Sequence, residues 1–120
     1  MQIKESAENY LETILVLQRE KGYARSIDIA NELQFSKPSV SVAMKHFREE
    51  GYIAVDKDGS ITLTEKGMKI AERVYERHQI IAKALMLLGV DEQTAFEDSC
   101  KIEHDISDIT FEKLKDFLNR

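Results

Sequence analysis

The chain has 120 residues, of which 42% are hydrophobic and 32% are charged, and its formal net charge is −5. A chain of this length buries one core or two small coupled cores, which argues against a multidomain enzyme. No apolar stretch approaches the roughly 20 residues that a bilayer crossing needs, so we predict a cytoplasmic protein without a membrane segment. The acidic balance argues against general coating of nucleic acid, so any DNA contact must be local. Cys100 is the single cysteine, which excludes an internal disulfide.

The first half of the chain predicts three helices followed by a β-hairpin. Apolar residues recur at helical spacing in the first two segments, and Ser26 is available to cap the second. Ser36 can cap the third helix, whose Pro38 stands in the first turn, where a missing N–H costs nothing. The Lys57-Asp58-Gly59 sequence supplies a turn between two runs with alternating or β-branched residues. The predicted helices are Ser6 to Glu20, Ser26 to Leu33 and Ser36 to about Gly51, and the predicted strands are Tyr52 to Val55 and Ser60 to Leu63.

The second half predicts helices only. Thr64 can cap a long helix that runs to about Leu88 and is ended by Gly89. Asp91 can cap a fifth helix that extends through roughly Ser107, and Thr110 can start a last one. The fold class is therefore mostly α, a winged helix-turn-helix followed by a C-terminal helical region. We predict a DNA-binding domain over residues 1–72 and a dimerisation and metal-binding domain over residues 73–120.

The third helix has the charge that DNA binding requires. Residues 34–48 contain lysine, arginine and histidine and no carboxylate, although the whole chain is acidic. Hydroxyls and N–H groups at the helix start can meet phosphates and base edges, and Pro38 can touch a thymine methyl group. Arg25 and Lys57 are placed to contact flanking phosphates. The predicted DNA contacts are Arg25, Ser36, Lys37, Pro38, Ser39, Ser41, Lys45, Arg48 and Lys57. Alternatively, the helix presents an ordinary solvated basic face and the hairpin only packs.

A second group of residues has the chemistry of a metal site. Cys100, Glu103 and His104 stand at positions i, i+3 and i+4 of the predicted fifth helix, so their side chains project from one face. Glu12 and Asn9 on the first helix and His78 on the fourth can join them. Mixed N, O and S ligands suit first-row transition ions better than Ca²⁺ or Mg²⁺, which leaves iron, manganese, cobalt, nickel and zinc open. Taken singly, a buried cysteine is more often a small hydrophobe, and a histidine a satisfied structural residue.

Six sequence motifs are spread over nearly the whole chain: SAENYLETI (Ser6–Ile14), GYARSIDIANEL (Gly22–Leu33), SKPSVS (Ser36–Ser41), LTEKG (Leu63–Gly67), ERHQI (Glu76–Ile80) and CKIEHDIS (Cys100–Ser107). With these motifs the sequence resembles the diphtheria toxin repressor and manganese transport regulator family of metal-dependent repressors. The resemblance implies that metal binding orders the first helix and sets the spacing of two recognition helices in a dimer. It also implies control of metal-uptake genes, and a short form that lacks the SH3-like third domain.

The resemblance also assigns ligands, and the chain mixes two patterns. Iron-type members have the Cys, Glu and His found here at Cys100, Glu103 and His104, with Met in place of Asn9. Manganese-type members have Asp at Asn9, Glu at Glu12, His at His78 and Glu at Cys100. The iron-type ancillary site loses two ligands here, at Ala82 and Phe96. In the recognition helix, Val42 stands where iron-type members have Gln, so the target sequence does not transfer.

We therefore predict a homodimeric repressor of metal-ion homeostasis that is activated by a divalent transition metal, Fe²⁺ being favoured and Mn²⁺ next. Its partner is a double-stranded, palindromic operator, and the dimer surface is expected in the apolar segment Ile80 to Val90 and the last two helices. Metal binding would shift the population toward the DNA-competent form. Three rivals remain: a metal-independent winged-helix regulator with a degenerate metal site, a metallohydrolase with Glu103 as base, and a protein-binding adaptor.

Overall fold

The computed structural model describes the backbone of residues 5–120 and the side chains of residues 6–120. Packing divides the chain into two compact units, Met1–Glu72 and Arg73–Arg120, and the fourth helix crosses the boundary. Residues 1–4 of the predicted DNA-binding domain lie outside the described residues. Within residues 5–120 the elements are the helices α1 (Glu5–Lys21), α2 (Ser26–Leu33), α3 (Lys37–Glu49), α4 (Glu65–Leu87), α5 (Glu92–Ile102) and α6 (Asp108–Leu118), and the strands β1 (Ile53–Val55) and β2 (Ile61–Leu63).

The first unit is built on the apolar stripe of α1. Leu11, Ile14 and Leu15 are at most 1% exposed, because their helical spacing turns them all to one side. Tyr10 joins this core to the later helices through an edge-to-face contact with Phe47, whose ring centroid is 5.7 Å away. The aromatic contact helps to fix α3 against α1, so the opposite side of α3 is left to solvent.

The hairpin forms the predicted wing. Strands β1 and β2 pair antiparallel with Ile53 opposite Leu63. At the tip, the Asp56 carboxylate accepts hydrogen bonds from the N–H groups of Asp58 and Ser60, both at 2.9 Å. Gly59 has a φ of 81°, which a glycine adopts without strain. These contacts hold the turn and leave Lys57 exposed at its tip.

The start of α4 is locked to the wing by the LTEKG segment. Thr64 caps the helix by accepting a hydrogen bond from the Gly67 N–H at 3.2 Å, and its hydroxyl donates to the Gly51 carbonyl at 2.6 Å. Gly67 lies so close to Tyr52 that a Cβ atom there would overlap the Tyr52 carbonyl oxygen. The glycine of this motif therefore serves close backbone packing rather than a turn.

The second unit consists of the rest of α4 with α5 and α6. Val74 and Ile81 on α4, Ala95 on α5 and Phe111 on α6 are all at most 5% exposed and form its core. The Asp91 carboxylate caps α5 by accepting from the Thr94 N–H at 3.0 Å. This unit also buries polar side chains, which the next section describes.

The predicted mostly helical fold with one hairpin is confirmed, and three details of the prediction are wrong. Arg25 rather than Ser26 is the N-cap of α2, and the Asp28 carboxylate accepts its N–H at 3.2 Å. Helix α5 ends at Ile102 instead of near Ser107, because the Asp105 N–H bonds to the Ile102 carbonyl and tightens the chain into a turn. Helix α6 begins at Asp108, two residues before Thr110, because Ser107 supplies the cap.

Candidate metal centre and DNA-binding surface

Helices α4 and α5 bring His78 and Cys100 into contact. The Ser99 hydroxyl is buried and donates to the main-chain carbonyl of His78 at 2.9 Å, which fixes α5 against α4. The next residue, Cys100, then lies with its Sγ 3.2 Å from His78 Nε2. The same nitrogen is 3.1 Å from the Phe96 carbonyl oxygen, and the Phe96 ring packs edge-on against the imidazole. A nitrogen and a sulfur donor therefore face each other beside an aromatic ring.

Two further side chains that could donate to a metal ion lie directly after α5. The side chains of Glu103 and His104 are 1% and 3% exposed, and His104 Nε2 lies 3.4 Å from a Glu103 carboxylate oxygen. A ligand atom of Glu103 also lies within 4.8 Å of one on His78. Burying a carboxylate is costly unless positive charge or a metal ion balances it. The second unit thus places a half-buried pair, His78 and Cys100, and the buried carboxylate of Glu103 close together, with His78 near both of the others.

Arg77 fixes the segment that carries Glu103 and His104. Its guanidinium donates to the Ile106 carbonyl at 2.7 Å and to the Asp108 carboxylate at 2.9 Å. The Arg77 side chain is only 8% exposed, and its Cζ lies 5.3 Å from the centroid of the Phe111 ring. Sequence reasoning missed this residue, since an arginine in a helix is usually solvated; its position beside His78 was the only signal that could have found it.

The types of donor group in the second unit fit a first-row transition ion. His78, Cys100, Glu103 and His104 offer imidazole, thiol and carboxylate groups, the mixed set that such ions accept. His104 lies in the turn after α5, so the turn rather than a shared helix face brings it to Glu103. Glu12 is buried and Asn9 half-buried on α1 of the first unit. Their role as ligands stays a prediction from the sequence.

The outer surface of α3 carries the predicted DNA contacts. Val40, Met44 and Phe47 are buried, whereas Lys37, Pro38, Ser39, Ser41, Lys45 and Arg48 are all exposed. Ser36 caps the helix: its hydroxyl oxygen accepts the Ser39 N–H at 3.3 Å. That bond stabilises the first turn of α3. It also uses one acceptor position of the Ser36 hydroxyl, which was predicted to contact DNA.

A shallow depression lies beside this basic surface. Its volume is about 230 Å³, and Met44 is among the residues that line it. Arg25 before α2 and Lys57 at the wing tip are exposed as well. Val42 on α3 is 58% exposed, and the sequence prediction did not include it among the contacts. The residues that line the depression are Ser26, Ser41, Met44, Lys45, Arg48 and Val55.

Two family models match the chain in succession. Residues 2–61 match the iron-dependent repressor N-terminal DNA-binding domain, and residues 64–120 match the iron-dependent repressor metal-binding and dimerisation domain. The class is thus a metal-dependent DNA-binding transcriptional repressor that binds operator DNA and dimerises. The chain belongs to the iron-dependent repressor family, whose members are transcriptional regulators of metal-ion homeostasis, as the sequence predicted.

Named relatives agree with this assignment. The chain is 34% identical to the HTH-type transcriptional regulator MntR of Lysinibacillus sphaericus over 113 residues, which cover 94% of this chain and 81% of the relative. It is 35% identical to MntR of Bacillus subtilis, with coverage of 94% and 80%. The hypothetical protein SSo2273 from Sulfolobus solfataricus superposes with a TM-score of 0.70 at 27% identity, over 97% of this chain and 89% of that one.

Longer structures match only in part. The manganese regulator SloR superposes with a TM-score of 0.81 at 31% identity and covers 99% of this chain, which spans 55% of SloR. The IdeR structure from T. acidophilum, at 23% identity and a TM-score of 0.84, supports the fold. None of the helices in residues 5–120 combines the length and apolarity that a membrane span requires.

Proposed function

We propose that His78, Cys100, Glu103 and His104 bind a divalent transition metal, with iron(II) preferred over manganese(II), and that this ion raises the affinity for a palindromic operator. The observation that carries the proposal is the 3.2 Å contact between Cys100 Sγ and His78 Nε2, together with the buried carboxylate of Glu103, which also lies close to His78. A bound ion would supply positive charge that balances the buried carboxylate of Glu103, and it would cross-link α4 to the turn after α5.

The thiol supports iron(II). Manganese(II) is a harder ion that prefers carboxylate and carbonyl oxygens, whereas sulfur suits softer ions. Manganese(II) is the second candidate, because relatives at 34% and 35% identity are named MntR and the structures of similar fold include a manganese regulator. Glu12 and the amide oxygen of Asn9 would add hard ligands, which would favour manganese.

We infer that the first unit, residues 1–72, reads DNA and that the second, residues 73–120, binds metal and dimerises. Lys37, Lys45 and Arg48 on α3 would face the operator, with Arg25 and Lys57 on flanking phosphates. The exposed apolar side chains Leu87, Leu88, Ile109 and Phe117 support a dimer surface at the C-terminal end of α4 and on α6. In this proposal the protein acts in the cytoplasm as a regulator and not as an enzyme.

Metal binding and operator binding are coupled by thermodynamic linkage. If metal favours the DNA-competent form, operator DNA must raise metal affinity by the same factor. A coupling of about 1 to 3 kcal/mol would give roughly 5- to 150-fold regulation. A metal-independent regulator, the rival hypothesis, would show no such factor in either direction.

The test combines metal and DNA titrations. Anaerobic calorimetry should give tighter binding of Fe²⁺ than of Mn²⁺, and Cys100→Ser should weaken Fe²⁺ binding by at least about tenfold while affecting Mn²⁺ less. The control Lys101→Ala alters an exposed neighbour on α5 and should leave both affinities unchanged. Tighter Mn²⁺ binding by the wild type would overturn the choice of iron, and no binding of either ion would overturn the metal site.

Fluorescence anisotropy with a palindromic operator then tests regulation. Operator affinity should rise at least about fivefold with metal and fall again with chelator. The double variant Lys37→Ala/Lys45→Ala should bind more weakly, and the slope of log affinity against log salt should be shallower by about 0.9 for each phosphate that is no longer neutralised. Equal DNA affinity with metal and with chelator would support the metal-independent rival.

A further inference from the structure

The outward face of α3 has an apolar residue at its centre. Successive residues of a helix are rotated by roughly 100°, so Val42 points directly away from the buried stripe formed by Val40, Met44 and Phe47. Its 58% exposure agrees with that position. Pro38, one turn earlier and also exposed, lies on the same side.

The surroundings of Val42 are polar and basic. Lys45 follows it by nearly one turn, Ser39 and Ser41 lie close in sequence, and Lys37 stands at the helix start, all of them exposed. Valine can neither donate nor accept a hydrogen bond, and as a β-branched residue it is no better a helix former than the polar alternatives. The partner that fits this pattern presents negative charge around a small apolar group.

Duplex DNA has this combination in its major groove. Phosphates line the groove, and the C5 methyl group of thymine is the apolar group among its base edges. A protein partner would instead require a contiguous apolar patch, whereas the apolar surface along this face of α3 is limited to Val42 and Pro38. The basic charge around Val42 and its apolar side chain therefore both favour duplex DNA as the partner of this face.

We propose that Val42 determines operator specificity by packing against a thymine methyl group in each half-site. This inference rests on the proposed reading of DNA by α3, and it adds a residue and a base that the proposed function does not specify. Pro38 extends the same apolar surface toward the start of the helix. The assignment accounts for a valine at a position where a groove-facing helix ordinarily presents a polar side chain.

The experiment begins by selecting operators from random duplexes with the metal-loaded wild-type protein. Each thymine that recurs in the half-site is then replaced by deoxyuridine, which lacks only the C5 methyl group. At one position per half-site, deoxyuridine should weaken wild-type binding about three- to fivefold, the effect of exposing one methyl-sized group. Val42→Ala should abolish this thymine preference at that position and leave other positions unchanged.

Control variants separate the possible outcomes. Val42→Thr keeps the β-branched shape and one methyl group and should retain part of the preference, whereas Ile27→Ala, a truncation of an aliphatic side chain that is 40% exposed on α2, should retain all of it. The inference is overturned if the selected half-site contains no recurrent thymine, if deoxyuridine has no effect anywhere, or if Val42→Ala keeps the full preference. Absence of any metal-dependent DNA binding would instead reject the proposed function itself.

Discussion

The candidate DNA contacts of the first unit lie at the surface, whereas the second unit buries several polar side chains in its interior. In the first unit, the candidate DNA contacts Lys37, Lys45 and Arg48 are exposed and the core beneath them is apolar and aromatic. In the second unit, Arg77, Ser99 and Glu103 are at most 7% exposed. A solvated side chain can change without disturbing the core, whereas a buried polar group holds its neighbours in place. Binding and stability should therefore be separable in the first unit and coupled in the second.

The largest expected effect comes from a substitution in the first unit at a tightly packed position. Gly67→Ala should destabilise the protein by about 3 kcal/mol, because the added Cβ overlaps the backbone carbonyl of Tyr52 and backbone cannot swing aside. Urea unfolding followed by circular dichroism measures the loss. The wing and the start of α4 must move apart, so operator binding should weaken as well.

A control variant on the same helix shows whether the loss of stability is specific to position 67. Lys69→Ala replaces an exposed residue of α4 two positions later and should change stability by less than about 0.5 kcal/mol. If Gly67→Ala were as stable as wild type, the close packing of α4 on the wing would be contradicted, since alanine is otherwise the better helix former.

A second prediction compares two cationic residues, one from each unit. Arg77→Met should lower the free energy of unfolding by about 2 kcal/mol, because the hydrogen bonds to Ile106 and Asp108 disappear while methionine fills most of the volume. Lys45→Ala should lower it by less than about 0.5 kcal/mol. Urea unfolding of both variants gives the comparison directly.

The same two variants also test whether stability and ligand binding are coupled within each unit. Arg77→Met should also weaken metal binding, since the turn that carries Glu103 and His104 loses its attachment to α4. Lys45→Ala should leave metal affinity unchanged and weaken only DNA binding. Equal effects of the two variants on stability would contradict the contrast between the units.

Sequence patterns predicted the elements well and the buried polar contacts poorly. Helical periodicity and capping residues located α1, α3 and the wing, because each is determined by local spacing and turn chemistry. The end of α5 was missed, since the bond from Asp105 to Ile102 competes with helix continuation without any proline or glycine to mark it. Arg77 was missed because its partners lie 29 and 31 residues away. Such distant pairings depend on tertiary packing, which periodicity does not encode.

The smallest effects are expected at two helix caps, one neutral and one charged. The pKa of Asp91 is lowered from 3.8, chiefly by the hydrogen bond from the Thr94 N–H, so this cap stabilises the fold at neutral pH and loses its contribution as pH falls through the lowered pKa. Asp91→Asn keeps a capping side chain that does not titrate. Its stability deficit relative to wild type should therefore shrink below about pH 4, whereas Ser36→Ala should cost about 1 kcal/mol at every pH. Urea unfolding of both variants between about pH 2.5 and pH 7 measures this, and a constant deficit for Asp91→Asn would show that the charge of Asp91 contributes nothing to its cap.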